Sequence, residues 1–208
     1  MAGGHPLTME YLVTMTTRVP DGTSDQDVGD VRAREAARSR ELVAQRHLLR
    51  LWRPPLKPGE WRTLGLFAAD DDGQLENVLA SMPLRVWRTD EVTPLTPHPN
   101  DPGPDPGLKK SGAEFLTTFI DAVPAGTSSQ AVDEARAAEA ARARELAGQG
   151  YLVRLWVLPG KGRALGLYRA GDAGQMQAIL ESLPLYAWMK VETIPLTEHP
   201  SDPAIAGG

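Results

Sequence analysis

Residues 10–24 read EYLVTMTTRVPDGTS, and residues 114–128 read EFLTTFIDAVPAGTS. Working outward from this pair, the likeness continues in the same order. REAARSRELVAQ at 34–45 returns as AEAARARELAGQ at 138–149. LLRLW, ending at Trp52, returns as LVRLW, ending at Trp156, and LGLF returns as LGLY. SMPLRVW becomes SLPLYAW, and PLTPHPNDP becomes PLTEHPSDP. Matches in one order along two stretches are the signature of a duplicated module. Glu10 aligns with Glu114 and Leu64 with Leu165, so the second copy carries a short deletion, between Trp156 and Arg163.

Each copy reads as an α+β module of roughly a hundred residues. In the first, residues 10–19 are rich in β-branched and aromatic types and stop at Pro20, which predicts a strand. Asp21-Gly22 is a turn signal, and Ser24 with Asp27 is a helix-capping arrangement. Ala, Arg, Glu and Leu then carry a long helix to about Gln45. A second strand is expected at 48–53, ended by Pro54-Pro55, and a third at 61–68. A short helix follows at 72–81, ended by Pro83, and a fourth strand at 86–93. The order βαββαβ is the ferredoxin-like arrangement. Its helices cover one sheet face, so the other needs a partner, and the duplication supplies one in the same chain. The expected organisation is a first module at 8–98, a Pro/Gly-rich exposed linker at 99–111 and a second module at 112–203.

Bulk properties narrow the function classes. The 208 residues are 41% hydrophobic and 24% charged, ordinary for a soluble protein. A formal net charge of −5 and a pI near 5.4 argue against general nucleic-acid binding. They leave room for a small anionic ligand held locally by arginines. No apolar run is long enough for a bilayer, and the N-terminus lacks a signal-peptide pattern. The chain has no cysteine, which removes disulfides and thiol chemistry and fits a cytoplasmic setting. His5, His47, His98 and His199 are scattered without ligand spacing, so no metal site is expected. Phosphate-loop, dinucleotide and nucleophile-elbow signatures are absent as well.

The candidate catalytic group emerges from helix periodicity. Val28, Val31, Glu35 and Leu42 share one stripe, as do Val132, Ala135, Glu139 and Leu146. A carboxylate in an apolar stripe loses hydration, its pKa rises, and it becomes suited to moving protons. The competing reading is an intrahelical ion pair, because Arg32 and Arg38 flank Glu35, and Arg136 and Arg142 flank Glu139, at three residues either side. Arg50 and Arg154 lie on strands. By simple alternation they share a face with Leu48 and Trp52, or with Leu152 and Trp156. They can bind a substrate carboxylate, or form a structural salt bridge, including one to the helix glutamate. Trp52, Trp156, Trp87 and Trp188 read as core or pocket wall. His98 and His199 follow the last strands and can shuttle protons, or serve only as turn residues. Arg62 and Arg163 carry the same anion-binding ambiguity.

In both copies these residues resemble the muconolactone isomerase family. The carriers are MTTRVP at 15–20, the helix with Glu35, RLWR at 50–53, SMPL at 81–84 and His98-Pro99. In the second copy they are Glu139, RLW at 154–156, SLPL at 182–185 and HPS at 199–201. The resemblance implies an α+β, ferredoxin-like fold forming an intrachain pseudo-dimer of the dimeric α+β barrel type, with assembly into larger homo-oligomers left open. It implies a cofactor-independent isomerase that shifts a double bond in an unsaturated lactone, a small-molecule substrate, and a proton-transfer role for Glu35 and Glu139. Arg50, Arg154, Trp52, Trp156, His98 and His199 would contact substrate. Departures from the family include fusion of two modules, arginine at 50 and 154 where some members have histidine, and Asn100 where the second copy has Ser201. Two alternatives stay open. One is cyclase, dehydratase or cofactor-free oxygenase chemistry on a larger aromatic biosynthetic intermediate; the other is a non-catalytic ligand-binding or scaffold role.

Overall fold

The computed structural model describes residues 8–104 and 112–206. His5 and the later part of the expected linker lie outside the described residues. The first copy runs β1 (Met9–Thr17), α1 (Asp25–Ala44), β2 (Leu48–Arg53), β3 (Arg62–Ala69), α2 (Asp72–Ala80) and β4 (Arg88–Pro97). The second runs β5 (Ala113–Asp121), α3 (Ser129–Gly148), β6 (Leu152–Val157), β7 (Arg163–Ala170), α4 (Ala173–Glu181) and β8 (Met189–Glu198), with a terminal turn α5 (Pro203–Ala206). Both copies therefore have the expected ferredoxin-like order. Ser24 Oγ accepts from the Asp27 amide at 3.1 Å and donates to the Asp27 carboxylate at 2.7 Å, which caps α1 as its sequence predicts.

The chain divides into two compact units, and they do not coincide with the two copies. One contains residues up to Leu95 together with those from Thr197 onward; the other is Thr96–Leu196. In the first unit β1 lies antiparallel between β3 and β4, and β2 flanks β3. The end of β8 joins this unit, pairing Glu198 with Trp52 and Thr197 with Arg53. The second unit repeats the pattern: β5 lies between β7 and β8, β6 flanks β7, and the end of β4 pairs Thr96 with Val157 and Pro97 with Trp156. Each copy thus hands its C-terminal segment to the unit built mainly from the other.

Alternation on β1 sends Tyr11, Val13 and Met15 into the helix-covered core, where they meet Leu42, Phe67 and Leu79. Phe115, Phe119, Leu146, Tyr168 and Leu180 do the same in the second unit. Gly65 has no Cβ because the Phe67 ring occupies that space, 2.4 Å from where the atom would sit.

Two expectations change here, and both changes shape the site. The segment expected to open the fourth strand at Val86 is a 3-10 turn, Pro83–Trp87, and the strand begins at Arg88. Proline at the start of this turn favours helical dihedrals, and the turn leaves the Leu84 amide free of the ladder. Second, the linker does not begin as an exposed spacer at Pro99. Asp101 is nearly fully buried as a side chain and bonds to β6.

Candidate active sites

Each unit has a cavity beneath its long helix, of about 400 Å³ in the first and about 370 Å³ in the second. The helix glutamates line them, Glu35 in one and Glu139 in the other. His199, Pro200 and Ser201 line the first cavity, and His98, Pro99 and Asn100 the second. The exchanged C-terminal segments therefore complete the cavities.

Glu35 is not held by its helix neighbours. One oxygen accepts the Leu84 amide at 2.8 Å, and the other accepts from Arg88 Nη1 at 3.2 Å. Arg38 pairs instead with Glu41 at 2.7 Å, and the Arg32 guanidinium lies over Trp61 at 5.2 Å. Arg88 is itself almost fully buried and forks onto Asp90 at 2.6 and 2.9 Å. Arg85 extends this network from Asp90 to Glu76. Burial pushes the Glu35 pKa up; the Leu84 amide and Arg88 pull it part of the way back.

Glu139 accepts the Leu185 amide at 3.0 Å, the counterpart of the Leu84 bond. The arginine is missing, because Met189 stands in the place of Arg88. The rest of the network has gone with it: Val191 replaces Asp90, Tyr186 replaces Arg85 and Gln177 replaces Glu76. Tyr186 and Gln177 now share a neutral hydrogen bond of 3.0 Å. Burial raises the Glu139 pKa, opposed by the Leu185 amide.

That shift has a consequence for stability. The folded-state pKa of Glu139 lies above its unfolded value, so the unfolded chain ionises more readily and stability falls as pH rises through that interval. Glu139→Gln keeps an acceptor for the Leu185 amide without the buried charge. It is expected to raise the Tm at pH 7, and the gain should vanish below about pH 4, where the unfolded chain is also protonated. Thermal melts at the two pH values check this; a lower Tm at pH 7 would contradict it.

The two histidines share one geometry. His199 Nδ1 accepts the Ser201 amide, and His98 Nδ1 accepts the Asn100 amide, both at 3.1 Å. A ring nitrogen that accepts carries no proton, so in the neutral ring the proton sits on Nε2. Burial lowers both pKa values, with Arg53 assisting at His199, which falls to about 4. Both rings are neutral near pH 7.

Arg50, Arg154, Trp52 and Trp156, expected to contact substrate, do not line either cavity. Arg50 forks onto Asp202 at 3.1 and 3.0 Å, and Arg154 onto Asp101 at 3.2 and 3.1 Å. Each guanidinium lies over its tryptophan at 4.7 Å. The reason is a β-bulge. Leu48 pairs with Phe67 but Arg50 pairs with Leu66, and the same slip separates Leu152 from Arg154. The extra residue reverses the alternation, so Arg50 and Arg154 face away from the helix-covered core that Leu48 and Leu152 enter. These arginines form the structural salt bridge that the sequence left open, but to an aspartate of the exchanged segment. Arg62 lines the first cavity, whereas Arg163 donates to the Pro159 carbonyl and is not among the residues lining the second.

Sequence reasoning missed Arg88, Arg53, Asp101 and Asp202. For the aspartates a signal was available: both copies keep Asp in HPNDP and HPSDP while the residue before it changes. Among the described residues there is no cluster of three or more metal-ligating groups, and no helix is long and apolar enough to cross a membrane.

Comparisons with known proteins agree with the two-copy reading. The family model described as muconolactone delta-isomerase matches residues 9–101 and 113–202. The muconolactone delta-isomerase of Rhodococcus opacus is 32% identical over 90 residues, spanning 43% of this chain and 97% of that one. An Acinetobacter lwoffii muconolactone delta-isomerase is 30% identical over 92 residues, 44% of this chain and 93% of that one. Among solved structures, a heme-binding protein from Thermus thermophilus aligns with a TM-score of 0.59 at 13% identity, over 93% of each chain. A variant chlorite dismutase from Candidatus Nitrospira defluvii aligns with a TM-score of 0.57 at 11% identity, over 91% of each chain. At these identities the likeness shows the fold alone. It spans both copies and agrees with the dimeric α+β barrel class expected from the sequence.

Proposed function

Because the chain belongs to the muconolactone delta-isomerase family, we propose that its first unit isomerises an unsaturated lactone bearing a carboxylate, with Glu35 carrying the proton. The observation behind this reading is the company Glu35 keeps. Its carboxylate sits half-buried in a cavity also lined by Arg32, Arg53, Arg62 and His199. A base and several cations in one cavity suit an anionic carbon acid.

The steps follow from the chemistry of a conjugated lactone. The carbonyl acidifies a ring C–H at the far end of the conjugated system. Glu35 takes that proton, and the electron pair of the C–H bond delocalises onto the carbonyl oxygen as a dienolate. The His199 Nε2–H, held in that tautomer by the Ser201 amide, donates to the developing oxyanion. A neutral imidazole performs this task without first giving up a proton. The protonated Glu35 then returns its proton to the carbon next to the carbonyl, and the double bond has moved. Arg53 and Arg62 hold the substrate carboxylate, and Arg88 keeps Glu35 ionised while its own charge is balanced by Asp90.

The test is NMR of muconolactone with the protein in deuterated water. Deuterium entry and double-bond migration are expected; neither occurring would overturn the reading. The pH profile adds a specific expectation. Since Glu35 acts as its carboxylate, kcat/KM should fall on the acid side, with a limb above the ordinary carboxylate range. Removing the Arg88 charge, as in Arg88→Met, should move that limb to higher pH, and Arg88→Lys should restore part of the shift. An acid limb that stays in place in Arg88→Met would remove Arg88 from this role.

A further inference from the structure

The two cavities share one fold and nearly one volume but differ in the charged side chains that line them. Arg32, Arg53, Arg62 and Arg88 line the first against one carboxylate, Glu35. The second has Arg136 against two carboxylates, Glu139 and Asp121. The differences are traceable residue by residue. Arg53 becomes Val157, Arg88 becomes Met189, buried Thr17 becomes exposed Asp121, and Trp61 becomes Gly162, whose carbonyl accepts the Asp121 amide as that of Trp61 accepts the Thr17 amide. Ser39, buried in the first cavity, becomes Ala143. The Arg88 network was exchanged as a set for Met189, Val191, Tyr186 and Gln177, and no buried polar atom was left unpartnered among the described residues. Replacing a complete buried ion network by matched apolar groups is the tolerated kind of change; removing one partner alone would have been costly. The second cavity is therefore a repacked site. It keeps the helix carboxyl, the amide of the turn, the Nε2–H histidine and Arg136 in the place of Arg32, while the other three arginines leave the lining.

We infer that the second unit binds an uncharged, mainly apolar carbonyl compound, such as a lactone lacking a free carboxylate, its carbonyl directed to the Glu139 and His98 end of the cavity. An anion entering there meets two carboxylates and one arginine, and like charges in a partly desolvated site oppose binding strongly. An uncharged lactone meets Phe119, Ala143, Leu155, Leu183 and Met189, with His98 Nε2–H as a donor for the carbonyl. Apolar walls with a few convergent polar groups are the usual makeup of a small-molecule site.

The experiment uses the full chain, labelled at alanine and methionine methyl groups, and two probes of one skeleton: muconolactone, an anion at pH 7, and its methyl ester. Met15 and Met82 report the first cavity; Ala140, Ala143 and Met189 report the second. The ester is expected to shift the second set of signals at a concentration at least about tenfold below that needed by the anion. Met189→Arg is expected to strengthen the anion's binding at Ala140 and Ala143 by about tenfold or more. An anion that saturates the second cavity as readily as the ester would overturn the inference, as would signals there that neither probe moves. If Met189→Arg fails to fold, the comparison of probes in the unaltered chain still decides. The readout is equilibrium binding, so its failure is distinct from a failure of turnover in the first unit.

Discussion

Replacing Glu35 with glutamine is expected to lower kcat for muconolactone by roughly 10²–10⁴-fold, the range lost when a positioned general base is removed. Glutamine keeps the length, the half-buried position and an acceptor for the Leu84 amide, so the cavity retains its shape. What disappears is the ability to take and return a proton. KM should stay level or fall, because in the proposed mechanism Arg53 and Arg62 hold the substrate and the lost carboxylate repelled it. Glu139→Gln supplies the internal comparison: turnover of muconolactone should stay within about twofold of the unaltered chain. Steady-state kinetics of the two single variants separate the possible roles. Equal losses would assign muconolactone chemistry to both cavities. Retained turnover in Glu35→Gln and in the double variant would remove the helix glutamates from the mechanism.

The fold was legible because its signals are local and appear twice. Prolines at 20, 54, 55 and 83 mark element ends, the Ser24–Asp27 cap marks a helix start, and the repeat tests each reading against a second copy. The helix glutamate was legible for the same reason, since a carboxylate in an apolar stripe breaks a period of 3.6 residues. The face of Arg50 was not legible. Strand alternation assigns it by counting in twos, and a bulge between Leu48 and Arg50 breaks the count with no glycine or proline to announce it. The division of the chain was hidden as well. The modules are contiguous in sequence, but the structural units exchange their final segments. Which histidine serves which glutamate then depends on long-range pairing, as of Glu198 with Trp52, that no local pattern encodes.

Arg88 shows how a difference between copies can carry more information than a match. It falls inside SMPLRVWR, beside residues that identify the repeat, and its counterpart is Met189 in SLPLYAWM. In the folded chain Arg88 binds both Asp90 and Glu35, so its replacement by Met189 removes the one cation that pulls the helix carboxyl's pKa down. Both glutamates accept the amide of the turn that follows the second helix, and only Glu35 has an arginine besides. Glu139 lacks the arginine yet still lines a cavity of similar size.

Asp202→Ala is expected to be the most damaging single change away from the reacting atoms. The Asp202 side chain is 2% exposed and accepts from Arg50 at 3.1 and 3.0 Å and from the Leu51 amide at 3.1 Å. Truncation removes the buried carboxylate to which the Arg50 guanidinium and the Leu51 amide donate. Breaking such a pair costs about 3–5 kcal/mol, which for a chain of this size lowers the Tm by about 10 °C. The functional loss should exceed what stability explains. Asp202 fastens the segment that carries His199, Pro200 and Ser201 over the first cavity, directly after the exchanged end of β8. Released, that segment no longer holds the His199 Nε2–H at the oxyanion, so kcat should fall even well below the melting temperature. Asp101→Ala removes the matching anchor, with its bonds to Arg154 and the Leu155 amide, from the second unit. It should cost similar stability while sparing muconolactone turnover. Thermal melts of the pair, with kinetics taken well below either melting temperature, read both effects. Turnover equally impaired in the two variants would mean that destabilisation alone is at work, and turnover retained in Asp202→Ala would remove the exchanged segment from the site.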